Sequence, residues 1–135
     1  MEKFKFLEHP AELKIRSRGK NLPELFINSA LGMMSYIYKV SPKKIDNIIN
    51  NKIEIHSQNL EALLIDWLSE ILCLSDINKQ AYISFKIIEF TPNKIIAEVG
   101  SVKAKARDDI KAVTYHELAI SEKNNFWEAM VVYDI

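Results

Sequence analysis

The sequence predicts an α+β fold in which two amphipathic helices pack on a largely antiparallel sheet, within one compact domain over residues 1–135. Three observations predict it. Two stretches carry apolar residues at steps of three and four, and several others alternate with a period of two. The second half of the chain is also punctuated by two short turn clusters of the kind that close hairpins. A chain of 135 residues can bury roughly two-thirds of its unfolded surface around one core. Its 3 glycines and 4 prolines form no tract that would separate two halves.

His9-Pro10-Ala11-Glu12 reads as a polar kink between a first strand and a second. In that second strand Leu13 and Ile15 alternate with Lys14, Arg16 and Arg18 up to Gly19, leaving one face wet. Asn21, Pro23 and Glu24 then supply a capping side chain, a proline in the first turn where its missing N–H costs little, and an acid at the third helical position. Leu22, Leu25, Phe26, Ala30, Met33 and Met34 form the apolar stripe of this helix, which runs to Tyr38 and is closed by Ser41-Pro42. Asn47, Asn50 and Asn51 read as a loop, followed by a short strand in which Ile53 and Ile55 alternate with Lys52, Glu54 and His56. Asn59 caps the second helix, where Leu60, Leu63, Leu64, Trp67, Leu68, Ile71 and Leu72 recur at helical spacing. Four strands complete the chain, at Tyr82 to Phe90, Lys94 to Val99, Ile110 to Ile120 and Phe126 to Ile135. Thr91-Pro92-Asn93 and Glu122-Lys123-Asn124-Asn125 are their turns.

Composition excludes several function classes. Eighteen Lys plus Arg balance eighteen Asp plus Glu, so bulk charge gives no reason for tight binding to nucleic acid or an anionic membrane. One cysteine, Cys73, can neither staple the fold nor build a thiolate metal cluster, which fits a reducing cytoplasm. Met1 to Leu7 lacks the apolar run of a signal peptide, and no stretch approaches the roughly 20 apolar residues of a membrane span. A cytoplasmic protein is expected. Three isolated glycines make neither a phosphate-cradling loop nor a dinucleotide fingerprint, and no serine sits in a nucleophile elbow.

The last hairpin is the most informative stretch for chemistry. A four-residue turn over Glu122 to Asn125 pairs Ser121 with Phe126 and hence Val113 with Asp134. In that register Lys111 shares a face with Asp134, while Thr114, His116 and Leu118 join Trp127, Ala129, Val131, Tyr133 and Ile135 on the core side. Lys111 and Asp134 read either as a marginal ion pair worth about 0.2–1 kcal/mol or as functional groups. The chain-end carboxylate of Ile135 beside Asp134 concentrates negative charge, and Glu12 could add a third oxygen donor to hold a hard divalent cation. That donor set, without a cysteine cluster, favours calcium, with manganese or magnesium as alternatives, over zinc. His9 reads as a surface or capping residue of its turn, or as a catalytic one; His56 carries a weaker signal. His116 reads as a hydrogen-bonded core residue, and Met33 and Met34 as core filler. Two basic stripes, Lys14, Arg16, Arg18 and Lys20, then Lys103, Lys105 and Arg107, are either phosphate contacts or solvated strand faces.

Four ordered blocks among these residues resemble the archease family over nearly the whole chain. Phe6-Leu7-Glu8-His9-Pro10-Ala11-Glu12-Leu13 is similar to its opening F-L-E-H-T-A-D-I, and Asn59-Leu60-Glu61-Ala62-Leu63-Leu64-Ile65-Asp66-Trp67-Leu68 to its D-L-E-A-L-L-V-D-W-L. Ile110-Lys111-Ala112-Val113-Thr114-Tyr115-His116 resembles I-K-A-V-T-Y-H, and Trp127-Glu128-Ala129 through Tyr133-Asp134-Ile135 resembles the closing W-E-A and F-D-I. The resemblance implies a small accessory protein, without catalysis of its own, that activates the GTP-dependent tRNA-splicing RNA ligase. That ligase joins a 3′-phosphate or 2′,3′-cyclic phosphate end to a 5′-hydroxyl, and such proteins promote its guanylylation and multiple turnover. By this resemblance Glu12, Asp134 and Ile135 hold a divalent cation, and Lys111 and His9 contact the ligase; RNA contact is indirect or weak. Glu12 departs from the family's usual Asp, and Pro10 from its usual Thr. The alternative expectation is a general chaperone or RNA-binding adaptor.

Overall fold

The computed structural model describes residues 1–39 and 47–135, so the expected helix stop at Ser41-Pro42 lies outside the described residues. The chain runs β1 (Phe4–Leu7), β2 (Leu13–Gly19), α1 (Leu22–Ile37), β3 (Ile49–His56), α2 (Leu60–Asn78), β4 (Gln80–Thr91), β5 (Lys94–Lys103), β6 (Ala112–Glu122) and β7 (Trp127–Asp134). The α+β class is as predicted, with every strand pairing antiparallel. The strands form two sheets rather than one, in the orders β1-β2-β7-β6 and β3-β5-β4.

The helices explain the division. Beyond the predicted stripe, α1 also buries Asn28, Ser29 and Gly32, an arc too wide for one sheet to cover. It packs on β1, β2 and β7 of the first sheet and on β4 of the second; α2 packs on β6 and on β3, β4 and β5. One core cluster therefore draws on both layers, from Ile15 and Val131 to Tyr82, Ile95 and Val99. Met33 and Met34 are buried in it, as expected.

Both helix starts follow from their caps. Asn21 and Asn59 accept the amides of Glu24 and Ala62 at 2.9 and 2.8 Å, satisfying donors that a helix N-terminus leaves open. Gly19 is required where β2 turns into α1, since a Cβ there would lie 2.4 Å from the Leu25 nitrogen. The second helix continues past Leu72 to Asn78. Its added turns are held partly by polar contacts, the buried Ser75 hydroxyl donating to the Tyr38 oxygen at 2.9 Å, which hydrophobic spacing does not register.

Asn50 and Asn51, expected in a loop, belong to β3 opposite Gly100 and Val99. Their side chains are exposed on an edge strand, where backbone pairing with β5 outweighs their poor strand propensity. Ile110, expected to begin a strand, is buried just ahead of β6.

Candidate functional site

The β6–β7 hairpin departs from the predicted register at both ends. Near the turn Glu122 faces Trp127 and Ser121 faces Glu128, two positions away from the expected Ser121–Phe126 pair. At the far end Ala112 faces Asp134 and Val113 faces Tyr133, one position away from the expected Val113–Asp134 pair. Between Thr114–Val132 and Ala119–Met130, four residues of β6 stand against Val131 alone. Tyr115, His116, Glu117 and Leu118 form this bulge, with Glu117 in the left-handed region at φ 53°.

The bulge overturns three face assignments. His116 is exposed rather than part of the core, its side chain 62% accessible. Thr114 sits with Val132 on the outer face and donates its hydroxyl to the Val132 carbonyl at 2.8 Å. Ala112, not Lys111, shares the face of Asp134. Lys111 precedes the ladder, gives its backbone N–H to the Asp134 carbonyl at 2.7 Å, and lines a cleft with Ser69, Leu72, Cys73 and Asp76 of α2. Ile135, expected on the core side, is 42% exposed.

The opening motif meets the bulge on the outer face of the first sheet. A turn at Pro10 and Ala11, the latter at φ 60°, brings the chain back into β2. Leu13 faces Tyr133, so Glu12 lies one position beyond that pair, on the face of Lys14 and at the strand end beside Asp134. His9 reaches from the turn to Glu117, Nε2 to carboxylate oxygen 2.7 Å; Lys14 Nζ and His116 Nε2 lie 3.8 and 3.9 Å from the same oxygen. The His9 and His116 rings stand edge to face, centroids 6.3 Å apart. His9, Glu12 and His116 each offer a ligand atom within 4.8 Å of the other two. The His9 Nδ1 atom is buried and has no hydrogen-bond partner.

Electrostatics follow this geometry. The Glu117 hydrogen bond holds His9 above the ordinary histidine range against the opposing effect of burial, with the Pro10 carbonyl and Glu12 adding to the rise. The same bond, then Lys14, holds Glu117 below the usual carboxylate range. The structure thus joins Glu12 to His9 and His116, sets Asp134 at the same margin outside that group, and turns Lys111 toward α2. Sequence reasoning missed Glu117 and misplaced His116. The available signal was the consecutive polar pair His116-Glu117, which breaks the alternation of the strand.

The first basic stripe is largely neutralised. Lys14 pairs with Glu117, Arg16 with Glu2 at 3.7 Å, and Arg18 with the buried Glu128 at 2.9 Å while stacking 5.1 Å from the centre of the Phe126 ring. In the second stripe Arg107 is tied to α1, its amide bonded to the Ile37 carbonyl at 2.7 Å.

Residues 4–135 match the Archease protein family. The chain is 34% identical to the protein archease of Methanosarcina barkeri, over 99% of this chain and 97% of that one. It is similar to the solution structure of protein 1598 of Methanobacterium thermoautotrophicum, with a TM-score of 0.76 at 26% identity and full coverage of both chains. The crystal structure of a Thermotoga maritima protein described as an archease and possible chaperone shares the fold, with a TM-score of 0.61 at 19% identity over 97% of this chain and 96% of that one. Among the described residues no helix is long and apolar enough to cross a membrane.

Proposed function

The chain belongs to the archease family, and from that premise we propose that it is a cytoplasmic accessory protein that activates a GTP-dependent tRNA-splicing RNA ligase by promoting its guanylylation and turnover. One observation carries the reading. The opening motif, the residue just ahead of β6 and the end of β7, which supply the family-like Glu12, Lys111 and Asp134, converge on one margin of the first sheet. The neutralised Lys14–Arg18 stripe argues against a general RNA adaptor, which would keep those cations available to phosphates.

In this reading Glu12, Asp134 and Ile135 hold a hard divalent cation, calcium first, with manganese or magnesium as alternatives. The donors suit such an ion in kind, since Glu12 and Asp134 offer carboxylate oxygens at neighbouring strand ends. When bound, the ion supplies positive charge for phosphate oxygens at the docked ligase. Lys111 stands at the exposed mouth of the α2 cleft and offers an ammonium to the guanylylation site, while His9 fixes the turn that presents Glu12.

The test is Lys111→Ala assayed with the ligase. Lys111 is exposed, so the variant melts within a few degrees of the parent, while stimulated guanylylation and multiple-turnover joining fall steeply. Lys105→Ala is the control and changes little. Equal stimulation by Lys111→Ala and the parent, at matched folding, would refute the role. Selective recovery of diverse unfolded proteins or bulk RNA, without the ligase, would favour the chaperone or adaptor reading.

A further inference from the structure

The outer face of the first sheet carries a second donor set of different chemistry. We propose that His9, Glu12 and His116 form a site for a divalent transition cation of the zinc class, with His9 ligating through Nδ1. It shares only Glu12 with the calcium-class reading above and does not depend on activation of a ligase.

Three observations support it. First, the ligand atoms of two imidazoles and one carboxylate gather within 4.8 Å, close enough for small side-chain adjustments to bring each to a shared ion. Imidazole nitrogen selects zinc, cobalt, nickel or iron over calcium and magnesium, so this set discriminates against the ions that suit Glu12 and Asp134. Second, His9 is arranged as metal-bound histidines are. Its Nε2 hydrogen-bonds the Glu117 carboxylate at 2.7 Å, which requires a proton on Nε2, and its buried Nδ1 has no partner. With the proton on Nε2, Nδ1 is the ring nitrogen whose lone pair is left to face Glu12 and His116 as a ligand. Third, the β6 bulge takes His116 out of the strand's alternation and turns it toward His9 on the outer face. Three protein ligands leave at least one position for water or an oxygen of a bound partner, and the exposure of His116 keeps it accessible.

The experiment titrates chelator-treated, full-length protein with Zn2+ by calorimetry and with Co2+ by absorption. One equivalent should bind. His116→Ala should abolish that site, and Glu117→Gln should weaken it by about tenfold or more through loss of the carboxylate that orients His9. Asp134→Ala should leave it intact, which separates this site from the calcium-class one. Long-range 1H–15N spectra of the zinc-loaded protein should show His9 bound through Nδ1 and protonated at Nε2. Parent-like zinc binding by His116→Ala, loss of zinc binding in Asp134→Ala, or a proton on His9 Nδ1 in the loaded protein would each overturn the assignment. Because the readout is the metal alone, failure of ligase stimulation leaves the result unaffected.

Discussion

Trp67 shows how a single side chain carries two kinds of information. Its ring belongs to the apolar stripe of α2 and is fully buried, which helical spacing makes plain. Its indole N–H donates to the Phe26 carbonyl of α1 at 2.9 Å, joining the two helices by a bond that no sequence pattern displays. Trp67→Phe removes the donor and part of the volume, while the Phe26 carbonyl keeps its partner within the helix. The expected cost is about 2–3 kcal/mol, read as a lower urea midpoint with an unchanged slope. His116 marks the opposite limit of legibility. Strict alternation put it in the core, whereas a four-residue bulge, with Glu117 in the left-handed region, makes it a surface group beside His9. Alternation constrains a strand only while the ladder is regular, and this strand departs from it at the candidate site.

At the scale of elements, both helix starts and the end of α1 at Tyr38 were legible, while the end of α2 and the starts of β3 and β6 were not. Asn21 and Asn59 announce both helices because a cap is a local interaction within three residues. The end of α2 is set instead by contacts with distant residues, Ser75 to Tyr38 and Asn78 to Tyr82, and by a C-cap that local rules would assign to glycine. That cap is Lys79, at φ 55° and ψ 45°, with its N–H on the Ser75 carbonyl. A left-handed non-glycine residue costs about 1–2 kcal/mol. Glycine there gives back about 0.5–1 kcal/mol in chain entropy. Lys79→Gly should therefore stabilise the protein by up to about 1 kcal/mol and raise the melting temperature by a few degrees. The same locality explains β3, where Asn50 and Asn51 read as loop residues because the partner that makes them a strand, Gly100 and Val99 of β5, lies far along the chain.

For the whole molecule, the division into two sheets raises the question of whether they unfold as one unit. Among the described residues no strand of one sheet pairs with a strand of the other, and both sheets pack on α1 and α2. Phe26 is central to it: wholly buried on α1, it meets the Phe90 ring of β4 edge to face at 5.0 Å and gives its carbonyl to Trp67 of α2. If that shared core makes folding cooperative, damage at Phe26 is felt equally in both layers, although the residue belongs to neither sheet. Phe26→Ala should cost about 3–5 kcal/mol, a large part of a typical 5–15 kcal/mol total. Hydrogen exchange under increasing denaturant should then show the slowest amides of β7 and β5 losing protection together, each by the same free-energy difference from the parent. Loss confined to β4 and β5, with β7 still protected as in the parent, would show instead that the first sheet holds its margin independently of the second, and that the cluster of His9, Glu12 and His116 is borne by β2, β6 and β7 alone.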